Sequence, residues 1–226
     1  MSARQCRSRI SWHGPSSGFG RIDVLVNNAG IVPDAGMKPE RVPDEVFAQT
    51  VKINLLGLWY CCHHAGKYML PDGKDGSIIN MSSIAGLNGV ANFPVSYQAT
   101  KAAVINLTRN LACSWADRNV RVNALAPGWF PSEMTAGAFS IPPFLDWVSK
   151  MAPMGRIGQP QELVPALLFL ASDASSFITG QTIAIDGGLS ASSAPRWPDE
   201  VSDIMAETGL GELAKSIGPS AKRAGA

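Results

Sequence analysis

Tyr97 and Lys101 stand four residues apart, so a helix through them presents both on one face. Free tyrosine holds its proton up to a pKa of about 10. A lysine ammonium close by favours the phenolate and draws that value down. Such a pair is a proton donor and acceptor suited to an alcohol or ketone oxygen. Ser83 lies fourteen residues before Tyr97. Its hydroxyl suits hydrogen bonding to a carbonyl oxygen that Tyr97 protonates, and Ser82 is the alternative for that role. Asn54 sits on the apolar stripe of "VKINLLG". A buried amide there needs partners, and it is placed to hold a water that relays protons to Lys101.

The elements around these residues alternate. "RIDVLVNNAG" (21–30) is a β-branched run that reads as a fully buried strand ending in a turn. Residues 43–70 carry apolar positions at helical spacing, with Pro43 and Asp44 in the first turn and Pro71-Asp72-Gly73 as the stop. "GSIINMSS" (76–83) predicts a second buried strand. A long helix is predicted over 94–119, with Pro94 in its first turn, then a strand over 120–128. A helix over 159–175 and a strand over 181–188 follow. Strands alternating with helices imply a parallel sheet covered on both faces, whose strand C-termini form the ligand crevice. Beyond Gly188, "LSASSAPRWPDE" reads as a linker, 199–218 as one or two short amphipathic helices, and the last residues as a frayed end.

Bulk properties narrow the function classes. The chain has 226 residues, a net charge of +1, 46% apolar and 16% charged residues. That is enough for one sizeable core. Near-neutral charge leaves no footprint for nucleic acid, and no apolar run is long enough to span a bilayer. The basic first residues lack the apolar core of a secretory signal. Cys6, Cys61, Cys62 and Cys113 form neither a disulfide framework nor a zinc pattern, which fits a reducing, cytoplasmic setting. "CCHH" (61–64) invites a metal reading. Adjacent helical residues point about 100° apart, so four in a row cannot converge on one ion. A helix with two buried thiols and two histidines on its polar side is expected instead, and no metal.

Six motifs then occur in one order: "NNAG" (27–30), Asn54, "NMSS" (80–83), "YQATK" (97–101), "NALAPG" (123–128) and "ITGQTIAIDGG" (178–188). From about residue 19 to 188 the chain resembles the short-chain dehydrogenase/reductases. The resemblance implies a Rossmann-like doubly wound parallel α/β sheet. It also implies an NAD(P)-dependent oxidoreductase that interconverts a ketone or aldehyde and a secondary alcohol by hydride transfer. Tyr97 would be the general acid/base. Lys101 would lower its pKa and bind the nicotinamide ribose, Ser83 would orient the carbonyl, and Asn54 would hold the relay water. Asn27, Ala29 and Gly30 would line the adenosine side and stabilise the central sheet. Pro127 and Gly128 would shape the nicotinamide pocket, with the Phe130 backbone and the Ser132 hydroxyl reaching the carboxamide. "APGWFPSEMT" is similar to gluconate 5-dehydrogenases and 3-oxoacyl-acyl-carrier-protein reductases. The helices over 43–70 and 94–117 resemble the family's dimer interface, which implies a homo-oligomer, dimer or tetramer. The aromatic stretch of Trp129, Phe130, Phe139, Phe144 and Trp147 is open between a substrate lid and a second small core.

One feature of the family is expected to be missing. Its Gly-rich phosphate loop lies two strands before "NNAG", and each βαβ unit takes about 30 residues or more. Gly14, Gly18 and Gly20 imitate that loop, yet only six residues separate Gly20 from Asn27. No apolar strand precedes them and no helix follows to receive a pyrophosphate. The expectation is a fold incomplete in its N-terminal half. Residues 1–18 would be a segment outside the family, 19–188 a partial catalytic domain and 189–226 an extension. The first strand would become an apolar sheet edge. NAD or NADP is implied without a readable preference. The alternative is a catalytically impaired remnant that acts as a partner subunit.

Overall fold

A computed structural model of the chain describes residues 21–71, 75–192, 201 and 207–209. The expectations for residues 1–18, for the glycines at 14, 18 and 20, and for most of 193–226 lie outside the described residues. Two compact units divide the chain, Met1–Ala191 and Ser192–Ala226. The sheet and all the helices below belong to the first.

Four parallel strands stand side by side in sequence order: β1 (Val24–Asn27), β2 (Gly76–Met81), β3 (Val120–Pro127) and β4 (Thr182–Ile185). Side chains alternate across a strand, and β2 shows the consequence. Ile78 joins Leu58, Cys62, Val104, Leu111 and Val122 in one core, while Ile79 joins Leu125 and Leu170 in another. Helices α2 (Leu58–Met69) and α3 (Val95–Trp115) cover the first face, and α6 (Val164–Ala171) covers the second. The α/β class and the two-sided cover agree with the sequence expectation.

Three elements differ from it. β1 is not fully buried, since Val24 is 39% and Val26 38% exposed. Val26 pairs with Ile79 and so points to the α6 face. There α6 packs on β2 and β3, which leaves the edge strand half covered. The helix expected over 43–70 is one rod in three parts: α1 (Asp44–Thr50), a π-helical segment (Val51–Gly57) and α2. The helix expected over 159–175 is α-helical only in α6, between two 3-10 turns at Pro160–Leu163 and Asp173–Ser175. Pro160 and Pro165 lack the N–H that a continuous helix needs. Between β3 and α6 lie two short helices, α4 (Glu133–Phe139) and α5 (Pro142–Met151).

Candidate active site

The site forms where β2 ends against the first turns of α3. Three consecutive residues at the strand's end are tied to that helix. The Met81 carbonyl accepts from Lys101 Nζ at 2.7 Å. Ser82 Oγ donates to the Lys101 carbonyl at 2.8 Å. Ser83 caps a 3-10 turn, Ile84–Gly86, by accepting from the Ala85 amide at 3.1 Å, and its hydroxyl is close enough to the Tyr97 phenol to favour the phenolate. Of the two serines considered, Ser83 is therefore the one beside the phenol, while the Ser82 hydroxyl fastens the strand end to the backbone of α3. Gly86 makes the approach close. A Cβ there would lie 2.6 Å from the Lys101 carbonyl carbon.

Lys101 Nζ lies 5.4 Å from the centroid of the Tyr97 ring. The sequence predicts a lowered tyrosine pKa, and the structure differs. Burial pushes the Tyr97 phenol up, and the Ser83 hydroxyl offsets only part of this. The lysine yields instead: burial draws its pKa down to about 8. A buried ion loses hydration whichever its sign, and the Lys101 ammonium gives its hydrogen bond to the Met81 carbonyl.

Asn54 is the buried residue of the π-helical segment. Its Oδ1 accepts from the Ile31 amide at 2.8 Å, and its Nδ2 donates to the Ile31 carbonyl at 2.9 Å. Nδ2 also lies 3.3 Å from Thr100 Oγ1. The side chain clamps the loop after β1 to the helix pair, with both Nδ2 hydrogens placed and one lone pair of Oδ1 left over. Gly30 lies in the same corner. A Cβ on it would stand 3.4 Å from Asn54 Oδ1 and 3.6 Å from Lys101 Nζ.

Asn27 turns into the sheet. Its Nδ2 donates to Asn80 Oδ1 at 2.8 Å, across the β1–β2 register, and Asn80 Nδ2 donates to Thr108 Oγ1 at 2.9 Å. Cys62 Sγ accepts from Asn27 Nδ2 at 3.2 Å, and burial raises its thiol pKa to about 12. Of the two thiols expected to be buried, Cys62 is so and Cys61 only half so. Ala29 is exposed next to this network.

On the far side, Pro127 ends β3, and Gly128 brings the chain against Asp186, whose Cβ would be 2.8 Å from a Cβ at 128. The Phe130 carbonyl accepts from Thr135 Oγ1 at 2.8 Å, and its ring packs on Gly158. Ser132 caps α4, with Oγ accepting from the Thr135 amide at 3.3 Å. Its hydroxyl thus serves the helix as well as facing solvent.

Sequence reasoning missed three contributors. Asp34, fully buried, accepts from the Ser96 amide at 2.9 Å and so caps α3 one residue before Tyr97. Thr100 Oγ1 bridges Asn54 and the Tyr97 carbonyl, to which it donates at 2.9 Å. Phe93 packs edge-on against Tyr97. "VPDAG" reads as an ordinary turn, so nothing local marks Asp34. A cavity of about 400 Å3 opens behind the Trp129–Phe130 loop, lined by Val148, Met154, Arg156 and Asp186. Tyr97 and Ser83 are not in its wall, so the chemistry is located by the side-chain cluster and not by that cavity.

A parallel α/β sheet with serine, tyrosine and lysine gathered at the C-terminal end of β2 places its reactive groups where such sheets bind ligands. Comparison with known proteins makes this specific. The family described as enoyl-(acyl carrier protein) reductase matches residues 15–190. The 3-oxoacyl-(acyl-carrier-protein) reductase of Thermotoga maritima is 42% identical over 172 residues, covering 76% of this chain and 67% of its own. The gluconate 5-dehydrogenase of Gluconobacter oxydans is 38% identical over 182 residues, covering 77% and 66%. A crystal structure of gluconate 5-dehydrogenase from Burkholderia cenocepacia, in complex with NADP and tartrate, superposes with a TM-score of 0.73 at 36% identity, over 76% of this chain and 66% of that one. The chain belongs to the short-chain dehydrogenase/reductase family, whose enzymes depend on NAD(P). It spans about two thirds of the length of the relatives it matches.

Proposed function

We propose that this chain interconverts a ketone or aldehyde and a secondary alcohol by hydride transfer with NAD or NADP, with Tyr97 as general acid and base. The observation that carries this reading is the gathering of Ser83, Tyr97 and Lys101 at the end of β2, with the Lys101 ammonium 5.4 Å from the Tyr97 ring centroid. In reduction, Tyr97 donates its phenolic proton to the carbonyl oxygen while the Ser83 hydroxyl hydrogen-bonds the same oxygen. A raised phenol pKa keeps that proton in place at neutral pH. Lys101, cationic below about pH 8, stabilises the tyrosinate left behind. Asn54 would hold the relay water through the acceptor capacity left on its Oδ1, which takes one hydrogen bond from the Ile31 amide.

The residues present fit the nicotinamide half of the cofactor. Gly30 leaves open the corner between Asn54 and Lys101, where a Cβ alone would already touch both at 3.4 and 3.6 Å. Lys101 and Tyr97 would hold the ribose, and Pro127, Gly128, the Phe130 amide and Ser132 would hold the nicotinamide. Asn27, Ala29 and Gly30 would form the adenosine side. When bound, the cofactor supplies or accepts the hydride. Among the described residues no glycine-rich strand-to-helix turn receives a pyrophosphate. A homodimer or tetramer belongs to the same reading, because Phe47, Leu56 and Tyr60 are exposed along the α1–α2 rod. So does a reducing, cytoplasmic setting for the buried Cys62 thiol.

Calorimetric titration of the purified chain with NADH and NADPH, followed by reduction assays, tests the proposal. Tyr97→Phe is expected to lower kcat by about 10²-fold or more without weakening cofactor binding. The exposed Val24 and Val26 favour a second reading, a catalytically impaired chain that acts as a partner subunit. Failure to bind either cofactor would select it.

A further inference from the structure

The loop from Ser83 to Tyr97 begins tightly and then loosens. Leu87 and Asn88 bond back to the Ile84 carbonyl, at 2.9 and 3.2 Å. Residues 87–92 are exposed, and a Cβ on Gly89 would meet nothing within 4 Å. Side-chain packing does little to hold such a stretch.

Hydrogen bonds hold it instead, and they come from the residue after Tyr97. Gln98 Oε1 accepts from the Val90 amide at 2.8 Å. Its Nε2 donates to the Val90 carbonyl at 3.2 Å and to the Phe93 carbonyl at 3.3 Å. The Phe93 amide closes the turn onto the Val90 carbonyl at 3.3 Å. Asn92, between them, has φ 56°, a left-handed conformation that asparagine tolerates better than most residues. One side-chain amide thus spans both ends of the Val90–Phe93 turn.

That turn ends in the ring that meets the phenol. Phe93 packs against Tyr97 with centroids 6.3 Å apart and planes 67° apart, and also meets Trp129 at 5.9 Å. Phe93 precedes Pro94, which keeps its backbone out of the helical region. Where the turn sits therefore decides where the ring sits. The polar neighbours of Tyr97 are the Ser83 hydroxyl, from the end of β2, and the Lys101 ammonium, from α3. The Phe93 and Trp129 rings carry no charge, so they act on the phenol by excluding water.

We propose that Gln98 is a positioning residue: its amide holds the Val90–Phe93 turn, and through it the Phe93 ring, against Tyr97, keeping solvent from that side of the phenol. A phenol screened in this way exchanges its proton with the group presented to it and not with bulk water. The meaning for the reaction rests on the proposed role of Tyr97, but the seating of the ring is measurable on the chain without cofactor.

The test is fluorine NMR of the full chain with fluorotyrosine at Tyr60, Tyr68 and Tyr97, its three tyrosines. The signal lost in Tyr97→Phe is that of Tyr97. Tyr60 and Tyr68, 42% and 44% exposed, are internal standards for a wet ring. On transfer from light to heavy water the Tyr97 signal is expected to move less than theirs. Gln98→Met keeps the length of the side chain and removes all three bonds. It is expected to raise the Tyr97 solvent shift towards that of the standards. Phe93→Ala is expected to do the same. Adding Gln98→Met to Phe93→Ala is expected to change nothing further, because the two act through one contact. A wild-type Tyr97 signal as solvent-sensitive as the standards, no response to Gln98→Met, or additive responses would overturn the proposal. Collapse of all three signals to unfolded positions would also overturn it, since Gln98 would then hold the fold and not the site.

Reduction assays are run separately. Gln98→Met is expected to lower kcat about three- to tenfold, the scale of one lost hydrogen bond, with KM within about twofold. A higher KM at unchanged kcat would put Gln98 in substrate binding and overturn the positioning role. The expected solvent response in a chain without activity would leave the seating standing and remove the hydride-transfer reading.

Discussion

Lys101 donates to the carbonyl of Met81, 2.7 Å away, and not to the phenol it was expected to activate. The ammonium is held by the strand end, 5.4 Å from the tyrosine ring centroid, in a place dry enough to draw its pKa to about 8. For ketone reduction, kcat/KM is expected to hold below about pH 8 and to fall above it as Lys101 loses its proton. A fall beginning only above pH 10 would assign the titration to Tyr97 instead. Stability carries the same signature. The unfolded lysine keeps its proton up to its ordinary value of 10.5, while the folded one releases it near 8. The unfolded state therefore binds more protons in that window, and this group's contribution to stability rises with pH across it. Tyr97, whose pKa is raised, acts in the opposite sense above pH 10.

Asn54 makes two bonds to one residue, the amide and the carbonyl of Ile31. Replacing it with alanine leaves both groups without their partner in a partly buried corner. Asn54→Ala is expected to cost about 2–4 kcal/mol, at about 1–2 for each lost bond. Urea unfolding reads this as a lower midpoint at unchanged slope. A loss under about 0.5 kcal/mol would mean that water replaces the amide and that the clamp is dispensable.

Asp34 caps α3 from a loop that is 62 residues earlier in the chain. Only one of its carboxylate oxygens has a partner, and Oδ1 is buried without one. Asp34→Ala is expected to cost about 0.5–2 kcal/mol and to loosen the turn that carries Tyr97. Asn caps helices about as well as Asp, so Asp34→Asn is expected to keep most of the stability. Equal losses in the two variants, by thermal unfolding, would show that the charge and not the cap is what matters.

Gly86 lets the Ser83 turn lie against α3. A Cβ there would meet the Lys101 backbone at 2.6 and 2.7 Å, and backbone cannot swing aside as a side-chain tip can. Gly86→Ala is expected to separate Ser83 from Tyr97. A displacement of about 1 Å at a reacting centre costs on the order of 10²-fold in rate, beside an overpacking cost of about 1–3 kcal/mol. Activity retained within about twofold at unchanged Tm would show that Ser83 does not need this contact.

Much of this arrangement was legible before any coordinates. Tyr97 and Lys101 share a face because both lie within one helix, and the four strands announce themselves as β-branched runs between turns. The π-helical segment was not legible, since its seven residues keep the apolar spacing of the helices on either side. Nor was Asp34, whose partner Ser96 is remote in sequence. The fate of Ser132 could be foreseen only by placing Thr135 three residues on as a capping partner.

Sequence alone determined which groups are available, their order and the spacing within each element, because those follow from local chain geometry. Only the tertiary structure decided what each group does with its charge and its hydrogen bonds. Burial at Tyr97 and Lys101 is the joint product of the β2 end, the loop after β1, the π-helical segment and α3. Desolvation depends on all of them together. That is why a spacing that predicts a lowered tyrosine pKa is overridden, and why the lysine, bonded to Met81, is the group whose proton is loosened.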